Sequence, residues 1–206
     1  MIVGGGFYEN STRNVTVLNA EQKTTCQLPQ YPDNFGEAAG ALVTTSSGSM
    51  PLICGGCNVP TQHTGSTNKC YLLEPQGWKE IHSLSRTNKL MAAVSVNQEW
   101  VMFNGGTDGW PHRRESILIR STGANVTLEP LSAARWGPCS AILLNNETTT
   151  VVGIMGGAHS GQLKSMERYS CTKEETPNCT KLPNGPDMNK GRRHFGCGSI
   201  QTSDVS

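Results

Sequence analysis

An apolar stretch ending in paired glycines recurs four times at a nearly fixed interval, and this constrains the fold more than any other feature of the chain. The stretches are Ile2-Val3-Gly4-Gly5, Leu52-Ile53-Cys54-Gly55-Gly56, Val101-Met102-Phe103-Asn104-Gly105-Gly106 and Val152-Gly153-Ile154-Met155-Gly156-Gly157. Their second glycines stand at 5, 56, 106 and 157, at intervals of 51, 50 and 51 residues. Such a period marks a repeat architecture, in which each unit buries its apolar face against the next. A β-rich segment follows each pair: Val15–Leu18, Lys69–Leu73, Ser116–Ile119 and Met166–Tyr169. A shorter one then runs into a turn, at Cys26–Pro29, Trp78–Ile81, Val126–Pro130 and Cys179–Pro183. One more follows in each period, at Ala41–Thr44, Leu90–Val94, Ser140–Leu144 and Cys197–Ile200. No window of about 11–18 residues carries helical periodicity. The chain is therefore expected to be all-β, with four short antiparallel strands per period. Its 23 Gly, 11 Pro and only 16% charged residues suit a turn-rich β protein.

Four antiparallel strands in each repeat of about 50 residues resemble the blade of a β-propeller, and the residues resemble the kelch class of that fold. Gly4, Gly5, Gly55, Gly56, Gly105, Gly106, Gly156 and Gly157 fall at the glycine pair that ends the second strand. Tyr71 and Trp78 fall at the aromatic positions of the third and fourth strands, and Tyr169 repeats the Tyr position. The resemblance covers essentially the whole chain. It implies about four four-stranded blades in a single propeller region spanning residues 1–206: a partial blade over 1–34, full blades over 35–84, 85–133 and 134–186, and the first strand of a further blade within 187–206. That last strand either opens the next blade of a larger ring or completes the first blade and closes a four-bladed ring. The partial ring is preferred, because kelch rings mostly have about six or seven blades.

Eight cysteines (Cys26, Cys54, Cys57, Cys70, Cys139, Cys171, Cys179 and Cys197) form an even set spread along the chain, as a disulfide framework does in an oxidising compartment. About 105 connectivities exist for eight cysteines. Strand placement favours Cys54 with Cys70 on adjacent strands, and Cys171 with Cys179 flanking a short hairpin, while Cys139 and Cys197 occupy equivalent sites of successive repeats. Five sequons begin at Asn10, Asn14, Asn125, Asn146 and Asn178. Together these features predict a secreted glycoprotein whose signal peptide is missing from this truncated chain. The net charge of +1 gives no field to steer nucleic acid, and no apolar run approaches the roughly 18 residues of a membrane span, so neither nucleic acid binding nor membrane insertion is expected.

Chemistry-bearing patterns are sparse. Cys54-Gly55-Gly56-Cys57 has CxxC spacing, but a redox pair needs a helix N-terminus to lower a thiol pKa, and here a strand ends instead. Gly4-Gly5-Gly6 lacks the Gly-Lys-Ser/Thr of a phosphate loop. His63, His82, His112, His159 and His194 show no metal-ligand spacing, so no metal or other cofactor is expected. The loop from Gly106 to Glu115 stands out because it combines Trp110, His112, Arg113 and Arg114, and aromatic and Arg side chains dominate binding hot spots. The reading is a non-catalytic extracellular module that presents this loop to a protein or glycan ligand. Two alternatives stay open: an intracellular kelch substrate-adaptor, which predicts free thiols, and a fragment of a secreted copper-radical oxidase-like propeller, which predicts bound copper.

Overall fold

A computed structural model describes residues 2–4, 15–19, 24–32, 36–57 and 65–198, with side chains described from residue 27 onward. Among the described residues there are fifteen strands and no helix. A three-stranded sheet holds β1 (Ile2–Gly4), β2 (Val15–Asn19) and β3 (Thr24–Leu28). Three four-stranded sheets follow: β4 (Ala39–Thr45), β5 (Gly48–Cys54), β6 (Lys69–Glu74) and β7 (Gly77–Ser83); then β8 (Ala92–Ser95), β9 (Trp100–Asn104), β10 (Ser116–Arg120) and β11 (Asn125–Thr127); then β12 (Cys139–Asn145), β13 (Thr149–Met155), β14 (Met166–Thr172) and β15 (Cys179–Gly185). Every sheet is an antiparallel up-and-down meander in chain order. Their first strands lie side by side, with β8 touching both β4 and β12.

The four-stranded sheets stack face to face on two apolar layers. Leu52 and Leu72 meet Val101, Phe103 and Ile119 in one layer, while Met102 and Leu118 meet Val152, Ile154 and Tyr169 in the other. Strand β9 is buried at all five positions because the pleat sends alternate residues into both layers. That is why its sequence is a continuous apolar run and not an alternating one. Each fully buried aliphatic or aromatic side chain contributes ~1.5–3 kcal/mol, so the layers hold adjacent sheets together. Aromatic side chains add hydrogen bonds across the stack. The Tyr169 hydroxyl donates to the Glu129 carbonyl at 2.5 Å, and the Trp100 indole to the Glu175 carbonyl at 2.8 Å. Trp78 Nε1 donates to Pro29 O at 2.8 Å, and both Trp78 and Tyr71 pack edge-on against Tyr31.

The glycine pairs have one geometry in all three four-stranded sheets. The first glycines (Gly55, Gly105, Gly156) take φ of 65°, 64° and 60°, and the second (Gly56, Gly106, Gly157) 102°, 99° and 87°. Each second N–H donates to a carbonyl in the next connection, those of Asn88, Arg135 and Arg192, at 2.8–2.9 Å. A Cβ on the first glycine would stand 2.3–2.6 Å from the same three carbonyl oxygens. Paired glycine is therefore required by both the left-handed turn and the close approach of the neighbouring repeat. A second row of bonds runs from repeat to repeat: Leu90 N–H to Glu37 O, Gly137 N–H to Leu90 O, and His194 N–H to Gly137 O, at 2.8–2.9 Å. All four residues take positive φ, between 52° and 61°.

Disulfides join Cys54 to Cys70 across β5 and β6, Cys171 to Cys179 across β14 and β15, and Cys139 at the start of β12 to Cys197. The Cys26 side chain lies outside the described residues. Two segments differ from the sequence expectation. Leu90 and Met91 precede β8 instead of opening it, because the left-handed Leu90 belongs to the inter-repeat row. Residues 187–198 carry no strand; Met188, Arg192 and His194 bond instead to loop carbonyls of Lys164, Leu163 and Gly137, and 199–206 lie outside the described residues.

Candidate functional site

In each four-stranded sheet the glycine pair and the connection to the next sheet emerge at one end, while the tight hairpin turns lie at the other. The bridged pairs Lys89–Thr107 and Trp136–Ala158 place Lys89 and Trp136 at equivalent positions of successive repeats, each just after the carbonyl that receives a glycine N–H. Arg193, which follows Arg192, continues the series. These residues, with Glu37, His112 and His194, border a groove of about 450 Å³.

A chain of aromatic and imidazole rings runs from the groove wall, at His112, Trp136 and His194, out to Trp110 and His159. The Trp110 ring stacks on His159 at 5.0 Å with 15° between planes, and meets His112 edge-on at 5.1 Å. His112 lies 5.7 Å from Trp136, which in turn lies 5.0 Å from His194. The Arg193 guanidinium sits 4.3 Å above the Trp136 ring, a cation–π contact. Trp110 remains 72% exposed, which leaves the face opposite His159 open to a ligand.

Hydrogen accounting sets the state of His112. The single hydroxyl hydrogen of Thr107 goes to the Gly109 carbonyl at 2.6 Å, and the same oxygen accepts the Gly109 N–H at 3.0 Å. His112 Nδ1, 2.9 Å from that oxygen, is thus assigned as a donor, leaving Nε2 as the acceptor of the neutral ring. Burial and the neighbouring His159 hold the His112 pKa below its ordinary value, against a smaller upward pull from the Gly109 backbone. His194 is likewise lowered by burial and by Arg193, with Glu37 opposing. Both rings are neutral acceptors at neutral pH, beside the permanent cation of Arg193.

Buried ion pairs fix the segments that carry these side chains. Arg135, adjacent to Trp136, is fully buried, pairs with Glu167 at 2.6 Å and donates to the Gly156 carbonyl at 2.8 Å. Glu167 also accepts Ser132 N–H at 2.6 Å and pairs with Lys181 at 3.0 Å. Burial pushes its carboxyl up, but the Ser132 N–H, Lys181 and Arg135 together outweigh burial, and the net shift is downward. One repeat earlier, Asn88 Nδ2 makes the equivalent bond to the Gly105 carbonyl at 2.9 Å. Lys89 pairs with Glu37 at 3.1 Å, and the Cys57 thiol donates to the same carboxylate oxygen at 3.4 Å. Burial pushes Cys57 up to about 11, with Lys89 pulling down and Glu37 pushing further up. Cys57 is a buried thiol and Cys54 is bonded to Cys70, so the CxxC spacing makes no redox pair.

Of the four loop residues singled out in the sequence, Trp110 and His112 stand in the cluster; Arg113 and Arg114 do not. Arg114 Nε donates to the Leu131 carbonyl at 2.5 Å, and Arg113 is half-buried with its backbone bonded to Gly106 and Arg135. Trp136, His159, Arg193 and His194 complete the site from other connections. The sequence signal that marks two of them is their position after Arg135 and Arg192. Among the described residues no three His, Cys, Asp or Glu side chains are grouped to hold a metal ion. Asn10, Asn14 and Gly5 lie outside the described residues, and Gly4 ends β1.

No protein-family model and no curated protein matches the chain. Solved structures do, one of them described as the structure of YjhT, with a TM-score of 0.57 at 16% identity. The likeness covers 82% of this chain and 52% of that one, so the chain spans about half the length of this structural relative, with which it shares its fold.

Proposed function

We propose that this chain is an arc of a kelch-type β-propeller from a secreted, disulfide-bonded protein, and that it acts without catalysis as a binding module for an extracellular protein or glycan. Four-stranded meanders repeating at about 50 residues and adjoining through their first strands support the blade reading. Three disulfides support an oxidising compartment. The observation that carries the binding reading is the open aromatic face of Trp110 beside Trp136, Arg193 and two neutral imidazoles, held by buried ion pairs. Such a surface offers stacking area, hydrogen-bond acceptors and one cation with little side-chain entropy to lose.

The test is a binding screen of wild type, Trp110→Ala and Trp136→Ala against arrays of glycans and extracellular ectodomains. A partner of this site binds both variants at least about tenfold more weakly, or roughly 1.4 kcal/mol. Trp110→Ala leaves unfolding stability within about 0.5 kcal/mol of wild type, because its side chain is exposed. If every partner binds both folded variants as tightly as wild type, the site is elsewhere.

A further inference from the structure

The three described sequons lie at the end of the sheets opposite the groove. Asn125 follows the β10–β11 turn, Asn146 sits in the β12–β13 turn, and Asn178 closes the β14–β15 turn; all three are exposed. Strands of five to seven residues, β10, β12 and β14 among them, separate these turns from the groove end, a span on the order of 20 Å. Asn146 Oδ1 accepts the backbone N–H groups of Thr148 and Thr149 at 3.0 and 2.8 Å and the Thr148 hydroxyl at 3.3 Å. All these bonds fall on the oxygen, so Nδ2, the atom that would carry a sugar, takes no part in them. Leu143 and Leu144, three and two residues before Asn146, are 44% and 51% exposed, an apolar surface that a glycan would cover. A polar hollow of about 880 Å³ opens at the same end, with Glu99, Arg120, Glu147 and Glu175 on its rim.

We propose that Asn125, Asn146 and Asn178 are N-glycosylated, and that their glycans crowd the hairpin end so that macromolecular partners approach from the groove end. This rests on the secretory reading above. In the reaction the Asn amide nitrogen forms a C–N bond to the anomeric carbon of a lipid-diphosphate-linked oligosaccharide supplied by the secretory pathway. The anomeric C–O bond breaks, the lipid diphosphate leaves, one amide proton is released, and nothing is oxidised or reduced. The larger, polar hollow is thereby screened, while the smaller aromatic groove stays open.

The test expresses the chain behind a signal peptide in eukaryotic cells, with Asn10→Gln and Asn14→Gln in every variant so that only the three sites count. Intact mass before and after peptide N-glycosidase should show three glycans, and Asn125→Gln, Asn146→Gln and Asn178→Gln should each remove one. Enzymatic release should convert each occupied Asn to Asp. Hydroxyl-radical footprinting should then show Leu143 and Leu144 more oxidised after glycan release, with Trp110 and His112 unchanged. Thiol alkylation on the same samples separates the two ways to fail. Protected thiols with bare asparagines overturn the glycosylation and leave the secretory reading standing; freely reacting thiols with bare asparagines overturn both. Occupied sites with Leu143 and Leu144 oxidised equally in both states overturn the screening.

Discussion

The two ends of the sheets are held by different kinds of interaction. At the groove end the connections are long and carry two buried ion pairs: Arg135 and Glu167 are 0% and 1% exposed, and Lys89 and Glu37 8% and 9%. At the hairpin end the turns are short, and the principal ion pairs join Arg120 to Glu99 and Glu175, whose side chains are 46% and 82% exposed. A hairpin turn needs little beyond its own ladder to stay ordered. A connection that presents side chains for recognition needs internal ties, and buried charge–backbone bonds supply them where water cannot compete. The groove end thus concentrates polar interactions whose loss would cost the fold most, while the hairpin end tolerates change and can carry bulky modification.

Removing one partner of each pair tests this most severely. Arg135→Ala leaves the Glu167 carboxylate buried with Lys181 and strips donors from the Gly156 and Ser165 carbonyls. It should cost ~3–5 kcal/mol in urea unfolding. Arg120→Ala, at the solvated end, should leave the unfolding midpoint within replicate scatter. Equal losses for the two variants would show that the ends do not differ in this way.

Glycine substitutions sharpen the contrast at a somewhat smaller scale. Gly106 and Gly48 have similar φ, 99° and 106°. A Cβ on Gly106 would lie 2.2 Å from Asn88 Oδ1 and 2.8 Å from the Lys89 carbonyl, whereas a Cβ on Gly48 meets nothing within 4 Å. Gly48→Ala should therefore register backbone strain alone, ~1 kcal/mol, and Gly106→Ala on the order of 3 kcal/mol, read from the same denaturant curves. If the two alanine variants unfold together, close approach of repeats at the glycine pair is not what requires glycine there.

The repeat was legible because its cause is local: each glycine pair ends an apolar strand and turns the same way, so the period is written into consecutive residues. Cys54 with Cys70 and Cys171 with Cys179 were legible for a related reason, since neighbouring strands of a meander bring them side by side. The groove was only half legible. Trp110 and His112 share one loop, but Trp136, His159 and His194 arrive from three other connections, and their meeting depends on how repeats stack. Trp136 and Arg193 each stand one residue after the carbonyl that receives the glycine N–H, and the sequence shows this only as their position after Arg135 and Arg192. Arg113 and Arg114 looked equivalent to their loop neighbours, yet Arg114 bonds to the Leu131 carbonyl and Arg113 is half-buried with its backbone tied to Gly106 and Arg135. Arg135 and Glu167 stand 32 residues apart, with no spacing rule to announce them.

The mildest contrast between the ends is their response to acid. His112 and His194 flank the groove, and His82 lies near the groove end of β7, where burial lowers its pKa too. Their folded values lie below the ordinary 6.5, so as pH falls through 6.5 the unfolded chain takes up protons before the folded one does. Acid in that window therefore favours unfolding: the stability held by neutral His112 and His194 is fully present above 6.5 and is lost as pH falls through their folded values. The Glu167 carboxyl, lowered from its ordinary 4.5, adds its own loss only at still lower pH. Facing His112 are His159 and the Thr107 hydroxyl, and facing His194 are Arg193 and Glu37, so the acidic loss is set by groove-end groups. Thermal midpoints measured from pH 7.5 down to about pH 5 should fall gently for wild type, and the fall should shrink for the His112→Asn, His194→Asn double variant. An undiminished fall in that variant would assign the acid sensitivity to other groups, and would remove titration from the list of ways in which the groove end differs from the hairpin end.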